Sequence, residues 1–221
     1  AARPVSARVR LDRPRLRHEI DFELDPRLRE ALAQDRLRVR YRVHDGAAAA
    51  AVSPGGKPET QDLPPVGADA PLAASRLLVP AGADGGHVVL GQAFVDGRRY
   101  GAPALIELSN HAAVGRPVTW GSPPSSRFPT AQPPDQGGGL TDGIHGSWRF
   151  GDGHWAGWEG SDLTATVDLG RPVRLAELSL RCLQDANAWV FLPLSVSFHV
   201  SADGATWRPA GRLTTAIPDR R

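Results

Sequence analysis

The sequence predicts an all-β protein made of two sandwich-like modules. Apolar and polar residues alternate with a period of two in several segments, of which residues 5–11 and 37–43 are examples. Such alternation is typical of half-buried strands. The 221 residues include 24 glycines and 20 prolines, which interrupt helices and favour turns. Only residues 25–34 have a helix-like pattern, so short strands joined by turns should dominate the fold.

The first module is predicted to span residues 1–110. The short helix-like stretch has Asp25 as its N-cap and Pro26 at its first helical position, which are residue types that favour a helix start. Asp96 and Gly97 lie between apolar stretches and predict a hairpin. Residues 45–74 are rich in alanine, proline and glycine and predict a long loop. The predicted strands are residues 5–11, 18–24, 37–43, 76–79, 87–95 and 104–108.

The second module is predicted to span residues 111–221. It contains all six tryptophans of the chain, and its boundary is expected near residues 109–115. A stretch rich in proline, serine and glycine follows that boundary, and a turn is predicted at residues 201–205. The predicted strands are residues 163–169, 173–183, 189–200 and 207–213.

Charge and motif content exclude several classes of function. The chain has 26 basic and 24 acidic residues, and its arginines alternate with apolar residues, which favours the solvent face of strands over a nucleic-acid-binding stripe. Cys182 is the only cysteine, so neither an internal disulfide nor a cysteine-based zinc site can form. We find no nucleophile elbow, phosphate-binding loop or zinc-protease helix, and no apolar run that suggests a membrane span. We therefore expect a non-catalytic chain whose one candidate cofactor is a structural calcium ion.

A loop dense in aromatic and polar residues follows Leu140-Thr141-Asp142-Gly143 and is the best candidate for a carbohydrate site. Aromatic faces stack on the C–H side of a sugar ring, and nearby polar groups bond to its hydroxyls. The alternative is that these tryptophans fill a sandwich core, and we expect one or two of them to line a rim. The candidate sugar-binding residues in this loop are His145, Trp148, Arg149, His154, Trp155, Trp158 and Glu159.

Further candidates lie on either side of this loop. Asn187 and Trp189 belong to a polar insertion between apolar segments, which either contributes to the sugar site or forms an ordinary turn. Asp142 is the best candidate for a calcium ligand, because calcium prefers hard oxygen donors on loops. Glu159 and Asp162 are close enough in sequence to suggest a glycosidase pair, but their position beside tryptophans favours hydrogen bonding or calcium binding.

Four stretches of the second module follow one another in an informative order: residues 140–143, the aromatic loop, residues 162–170 and residues 196–207. This order resembles the coagulation factor 5/8 type C (discoidin) family. Its members are jelly rolls, many of which bind galactose or other glycans, often with a structural calcium. The stretch Phe150-Gly-Asp-Gly-His-Trp-Ala-Gly-Trp-Glu-Gly160 is similar, more narrowly, to the C-terminal extension of bacterial family 20 glycoside hydrolases, the β-N-acetylhexosaminidases.

The first module resembles the chitobiase C-terminal-type sandwich that follows the catalytic barrel in those enzymes, through residues 39–46 and 92–97. Together the two resemblances imply a small Ig-like sandwich at residues 1–110 and a discoidin-like jelly roll at residues 111–221. We expect the jelly roll to be incomplete, because the sequence stops before the family's last strands. The catalytic barrel's His-x-Gly-x-Asp-Glu motif is absent, so no catalytic residue is carried over.

The function implied by the resemblance is that of a non-catalytic accessory region of a β-N-acetylhexosaminidase, secreted or periplasmic. Its expected partners are the catalytic domain of the parent chain and a glycan with a terminal galactose or N-acetylhexosamine; no nucleic acid and no membrane span are expected. Two alternatives stay open. The chain could be a purely structural buttress without a ligand, or a cell-surface glycan-adhesion module that is not attached to an enzyme.

Overall fold

The computed structural model describes residues 4–45, 68–70, 76–81, 85–128, 130 and 139–216. Strands make up 45% of the structure, and the described residues contain one α-helix, Arg29–Ala33. The predicted all-β fold is therefore confirmed. Most of the loop predicted at residues 45–74 lies outside the described residues. The strands are β1 (Val5–Asp12), β2 (Arg17–Leu24), β3 (Leu37–Asp45), β4 (Ala68–Ala70), β5 (Arg76–Pro80), β6 (Gly85–Val95), β7 (Arg98–Asn110), β8 (Val118–Ser122), β9 (Thr164–Val167), β10 (Ser195–Val200) and β11 (Arg208–Thr214).

The first seven strands form two antiparallel sheets, ordered β1-β2-β5 and β4-β3-β6-β7. The β6–β7 hairpin turns at Asp96 and Gly97, whose φ angles are 51° and 74°, as the sequence predicted. Positive φ at both central residues matches the right-handed twist of the flanking strands. Asp25 caps the short helical segment, accepting a hydrogen bond from the backbone N–H of Arg27 at 2.9 Å. The predicted strands and cap of residues 1–110 are thus present.

The two sheets enclose two apolar clusters, which define a sandwich. One cluster contains Val9 and Ile20 from the first sheet with Val89 and Leu108 from the second. The other is centred on Val5, Leu37 and Ala93 and is closed by Leu28 of the helical segment, which is the only buried residue of that segment. Alternating strand residues therefore supply the core, as burial of one face of each sheet requires.

A segment from beyond residue 110 also belongs to this sandwich. Ile144 forms an antiparallel bridge with Leu108 of β7 and is buried in the first apolar cluster. The backbone N–H of Ser109 donates to Gly143 at 2.7 Å, and that of His145 donates to Glu107 at 3.0 Å. Residues 143–145 thus extend the second sheet beside β7, although the sequence assigned them to the second module.

The chain divides into two compact units, Ala1–Asp168 and Leu169–Arg221. In the first unit β8 pairs with β9; β8 was not predicted. The second unit contains the β10–β11 hairpin, whose turn is closed by Asp203, a hydrogen-bond acceptor for the backbone N–H groups of Ala205 and Thr206.

The predicted strand at 173–183 is wrong: these residues have no strand pairing and are mostly exposed. The jelly roll and the 110/111 boundary stay predictions.

Among the described residues, no helix has both the length and the apolar composition needed to cross a bilayer.

We predict that Gly91→Ala lowers the free energy of unfolding of the first unit by about 1–3 kcal/mol, the usual cost of overpacking a core. Gly91 is buried on β6, and a Cβ there would lie 2.5 Å from Cε1 of Phe22. The control is Gly151→Ala, since Gly151 has an ordinary φ of −89° and no atom within 4 Å of the added carbon. Urea denaturation measures both, and equal stabilities would contradict the predicted clash.

Candidate functional site

The aromatic loop, residues 145–159, is shaped by the carboxylate of Asp152. Its two oxygens accept hydrogen bonds from the backbone N–H groups of Ser147 and His154, the latter at 2.9 Å. Gly153 then turns the chain with a φ of 87°, a conformation that glycine adopts without steric cost. Both sides of the turn are therefore tied to one side chain, which fixes the residues between them.

Those residues present an exposed aromatic tip to solvent. Trp148 is 46% and Phe150 is 41% exposed, and Arg149 between them is also exposed. The guanidinium carbon of Arg149 lies 5.3 Å from the centre of the Trp148 ring, which is a favourable cation–π distance. The backbone N–H of Arg149 donates to the hydroxyl of Ser147 at 3.2 Å. An exposed indole and the N–H donors of one guanidinium thus lie side by side.

Trp155 has a packing role instead. Its indole N–H donates to the backbone carbonyl of Ser147 at 2.7 Å, and the side chain is half-buried. Gly146 faces the ring so closely that a Cβ at this position would lie 2.4 Å from Nε1 of Trp155. The indole therefore uses its only donor within the protein and covers backbone rather than solvent.

Trp158 and Glu159 also have partners within the protein. The indole N–H of Trp158 donates to the carbonyl of Ser122 at 3.0 Å, and its ring lies 5.8 Å from that of Trp120 on β8. Glu159 forms an exposed ion pair with Arg127 at 3.0 Å. The half-buried Trp158 thus packs on the β8–β9 sheet, while Glu159 is held by a cation.

His154 lies half-buried behind the tip. Its Nδ1 is buried and has no hydrogen-bond partner among the described residues. Burial lowers the pKa of His154, and the carboxylate of Asp152 opposes that shift. His154 is therefore a neutral imidazole at pH 7, with one nitrogen turned away from solvent.

Asp142 belongs to a buried polar cluster at the end of the sandwich. It is 2% exposed, and its Oδ1 accepts the backbone N–H of Ile144 at 2.9 Å. His18 of β2 is fully buried, and its Nε2 lies 2.7 Å from the backbone carbonyl of Asp142. Because that carbonyl can only accept, Nε2 must be the protonated nitrogen, and the buried Nδ1 has no described partner.

Burial has opposite effects on these two residues, because it disfavours the charged form of each. It raises the pKa of Asp142 to about 7, although Arg13 acts in the other direction. It lowers the pKa of His18, which the bond to the Asp142 carbonyl partly offsets. The described residues contain no group of three or more His, Cys, Asp or Glu side chains that could hold a metal ion. Calcium binding by Asp142 stays a prediction.

His145 joins two residues of β7 in a Ser–His–Glu arrangement. Its Nδ1 lies 3.3 Å from a carboxylate oxygen of Glu107, and its Nε2 contacts the hydroxyl of Ser109. This is the order of groups that activates a serine nucleophile. The backbone N–H groups of Ser109 and His145, however, donate to Gly143 and Glu107, so neither is available to stabilise an oxyanion. We interpret the cluster as a cross-strand anchor for residues 143–145.

Asn187 and Trp189 lie in the second unit. They belong to a tight loop, closed by two hydrogen bonds of 3.0 Å between Asp185 and Val190. Trp189 has a φ of 59° and is 69% exposed, with its ring edge-on to Phe191 at 6.3 Å. The exposed Asn187 amide lies on the same short turn, so this loop is a second candidate platform.

The structure thus separates the roles of the predicted residues between 142 and 159. Trp148 and Arg149 face solvent together; the other predicted residues of that loop bond or pack within the protein. Sequence reasoning missed His18, Glu107 and Ser109 as partners of the site. His18 is 124 positions from Asp142, and no local pattern connects residues so far apart.

Comparison of the chain with models of known protein families found no match, and comparison with curated proteins found none either.

We predict that the free energy of unfolding of the first unit decreases as the pH rises from 4 to 8, because Asp142 loses its proton. Its pKa rises from 3.8 to about 7 on folding, so the folded state binds the proton more tightly. The stabilisation is fully present below pH 3.8 and is lost as pH rises through 7, with a magnitude of about 4 kcal/mol. His18, whose pKa is lowered, contributes the opposite trend below pH 6.5.

Asp142→Asn keeps an oxygen acceptor for the N–H of Ile144 and removes the titration. Urea denaturation across this pH range should therefore give a smaller loss of stability in the variant than in the wild type. Asp142→Ala is the control, because it also removes the acceptor and should destabilise the unit at every pH. Identical pH profiles for the wild type and Asp142→Asn would contradict the prediction.

We also predict that replacing Trp155 lowers the free energy of unfolding much more than replacing Trp148 does. Trp155→Ala removes a packed indole and its hydrogen bond and should cost about 3–5 kcal/mol of unfolding free energy. Trp148→Ala removes an exposed ring and should change stability by less than about 1 kcal/mol. Chemical denaturation followed by circular dichroism distinguishes them, and a larger loss for Trp148→Ala would contradict the assignment.

Proposed function

We propose that this chain is a non-catalytic accessory region of a secreted or periplasmic β-N-acetylhexosaminidase that binds a glycan. The observation that best supports this proposal is the Trp148–Arg149 tip, where an exposed indole lies beside a guanidinium. An indole face offers apolar contact to the C–H groups of a pyranose, and arginine N–H groups donate to its hydroxyls. The proposed glycan carries a terminal galactose or N-acetylhexosamine.

The surroundings of the two carboxyl groups that the sequence suggests as a glycosidase pair support a non-catalytic role. Glu159, which the sequence suggests as one of two acids, is ion-paired with Arg127 in the open. Asp162, its suggested partner, is also exposed, so neither carboxyl lies in the buried setting that is typical of a general acid. The resemblance to family 20 glycoside hydrolases supplies the class of the parent enzyme. In this proposal the catalytic domain of the parent chain performs the hydrolysis.

The two units offer separate platforms for a sugar. Trp189 and Phe191 form an exposed aromatic pair in the second unit, with the Asn187 amide on the same turn. We favour the Trp148 tip because a charged donor is stacked on its ring. A ligand-free buttress of the catalytic domain is the alternative, and the following titration distinguishes the three cases.

We predict that Trp148→Ala weakens binding of galactose, N-acetylglucosamine or chitin oligomers at least tenfold in a calorimetric titration. Loss of the stacking face removes most of the contact area of a small sugar. The matched control is Trp207→Ala, because Trp207 is also 46% exposed, and it should bind as the wild type does. Loss of binding in Trp189→Ala alone would move the site to the second unit.

Two outcomes would contradict the wider proposal. Absence of heat with all three ligands would favour the structural buttress. Hydrolysis of a nitrophenyl N-acetylglucosaminide by the purified chain would show that the chain is catalytic.

A further inference from the structure

Arg149 contributes an exposed positive charge to the aromatic tip. Arg8 pairs with Glu23 at 2.9 Å, and Arg127 pairs with Glu159 at 3.0 Å. Arg149 has no carboxylate within ion-pair distance among the described residues, and the contact of its guanidinium there is the Trp148 ring. Its positive charge is therefore not neutralised by a described neighbour.

The nearest acid in sequence does not neutralise it either. The two oxygens of Asp152 accept the backbone N–H groups of Ser147 and His154, so its carboxylate is directed into the turn. The same bonds fix the backbone that carries Arg149, whose own N–H donates to the hydroxyl of Ser147. The turn therefore presents a stacked cation in a defined position.

We propose that this tip selects an acidic sugar unit, one whose ring carries a carboxylate or a sulfate. This inference rests on the proposed glycan-binding function and specifies its ligand. The Trp148 face contacts the C–H side of the ring, while Arg149 donates charge-assisted hydrogen bonds to the anion. Such bonds are about twice as strong as those to neutral hydroxyls, and the planar guanidinium matches a carboxylate or sulfate in a two-point contact.

A polyanion such as nucleic acid is a weaker fit to this tip. Nucleic-acid binding needs several cations along a backbone, whereas the tip presents one arginine over one aromatic ring. The near balance of 26 basic and 24 acidic residues also gives little general attraction for phosphates. A discrete anionic group on an otherwise neutral ring is the better match.

The test compares a uronic-acid trisaccharide, a sulfated N-acetylglucosamine oligomer and neutral chitotriose by calorimetry at two salt concentrations. Arg149→Gln should weaken binding of the uronate or the sulfated oligomer at least tenfold and binding of chitotriose by a clearly smaller factor, because only the acidic ligands lose a charge-assisted contact. Whichever acidic ligand loses more affinity identifies the preferred anion. The matched control is Arg29→Gln, which removes another exposed arginine and should leave all three affinities unchanged.

Three results would overturn the inference. Equal affinity for chitotriose and both acidic ligands, with no effect of Arg149→Gln, would leave a neutral-sugar site and so refute only the acidic preference. Loss of acidic-ligand binding in Arg29→Gln equal to that in Arg149→Gln would indicate general charge attraction. Tighter binding of a single-stranded oligonucleotide than of the uronate would assign the tip to nucleic acid. If no sugar binds and Trp148→Ala changes nothing, the proposed function itself fails.

Discussion

The pairing of residues 143–145 with the end of β7 is the constraint on which the aromatic loop depends. Alternation along this short extension places Ile144 in the sandwich core and leaves His145 on the outer face. The chain that follows must therefore leave the sheet at a fixed point. Backbone bonds at Ser109 and Glu107 satisfy donors that would otherwise be costly to bury. The aromatic loop is thus attached to the sheet where it begins, and near its end Trp158 packs on the β8–β9 sheet.

The same end of the sandwich contains buried polar groups, and their hydrogen bonds offset only part of the free energy lost when they are removed from water. The backbone carbonyl of Asp142 accepts from His18, and its carboxyl oxygen accepts from Ile144. Arg13 donates to Thr141 at 3.2 Å and to Gly115 at 2.7 Å. These bonds connect β2, the β1–β2 turn and the chain after β7. Directional bonds of this kind specify where the connection docks, whereas apolar burial alone would allow several registers.

Sequence patterns predicted those features whose cause is local. Period-two alternation located the strands of residues 1–110, and the Asp96–Gly97 pair located a hairpin, because neighbouring residues determine both. The partnership of His18 with Asp142 depends on tertiary contact and has no local signature. Residues 173–183 were predicted as a strand from their apolar spacing, but alternation fixes which face a residue would occupy and not whether a partner strand is present. The sequence did not predict the β8–β9 pairing, because β8 has only five residues, one of which is Gly121, and so shows little alternation.

The indole N–H groups explain why an aromatic loop of this composition does not act as one uniform surface. A half-buried indole needs an acceptor, and Trp155 and Trp158 find theirs in the carbonyls of Ser147 and Ser122. Each such bond fixes the ring against backbone, which removes that face from any ligand. Trp148 differs from them, because its ring lies beside the Arg149 guanidinium and the residue is 46% exposed. Ligand specificity of this loop should therefore depend on the group beside the one open indole rather than on the number of tryptophans.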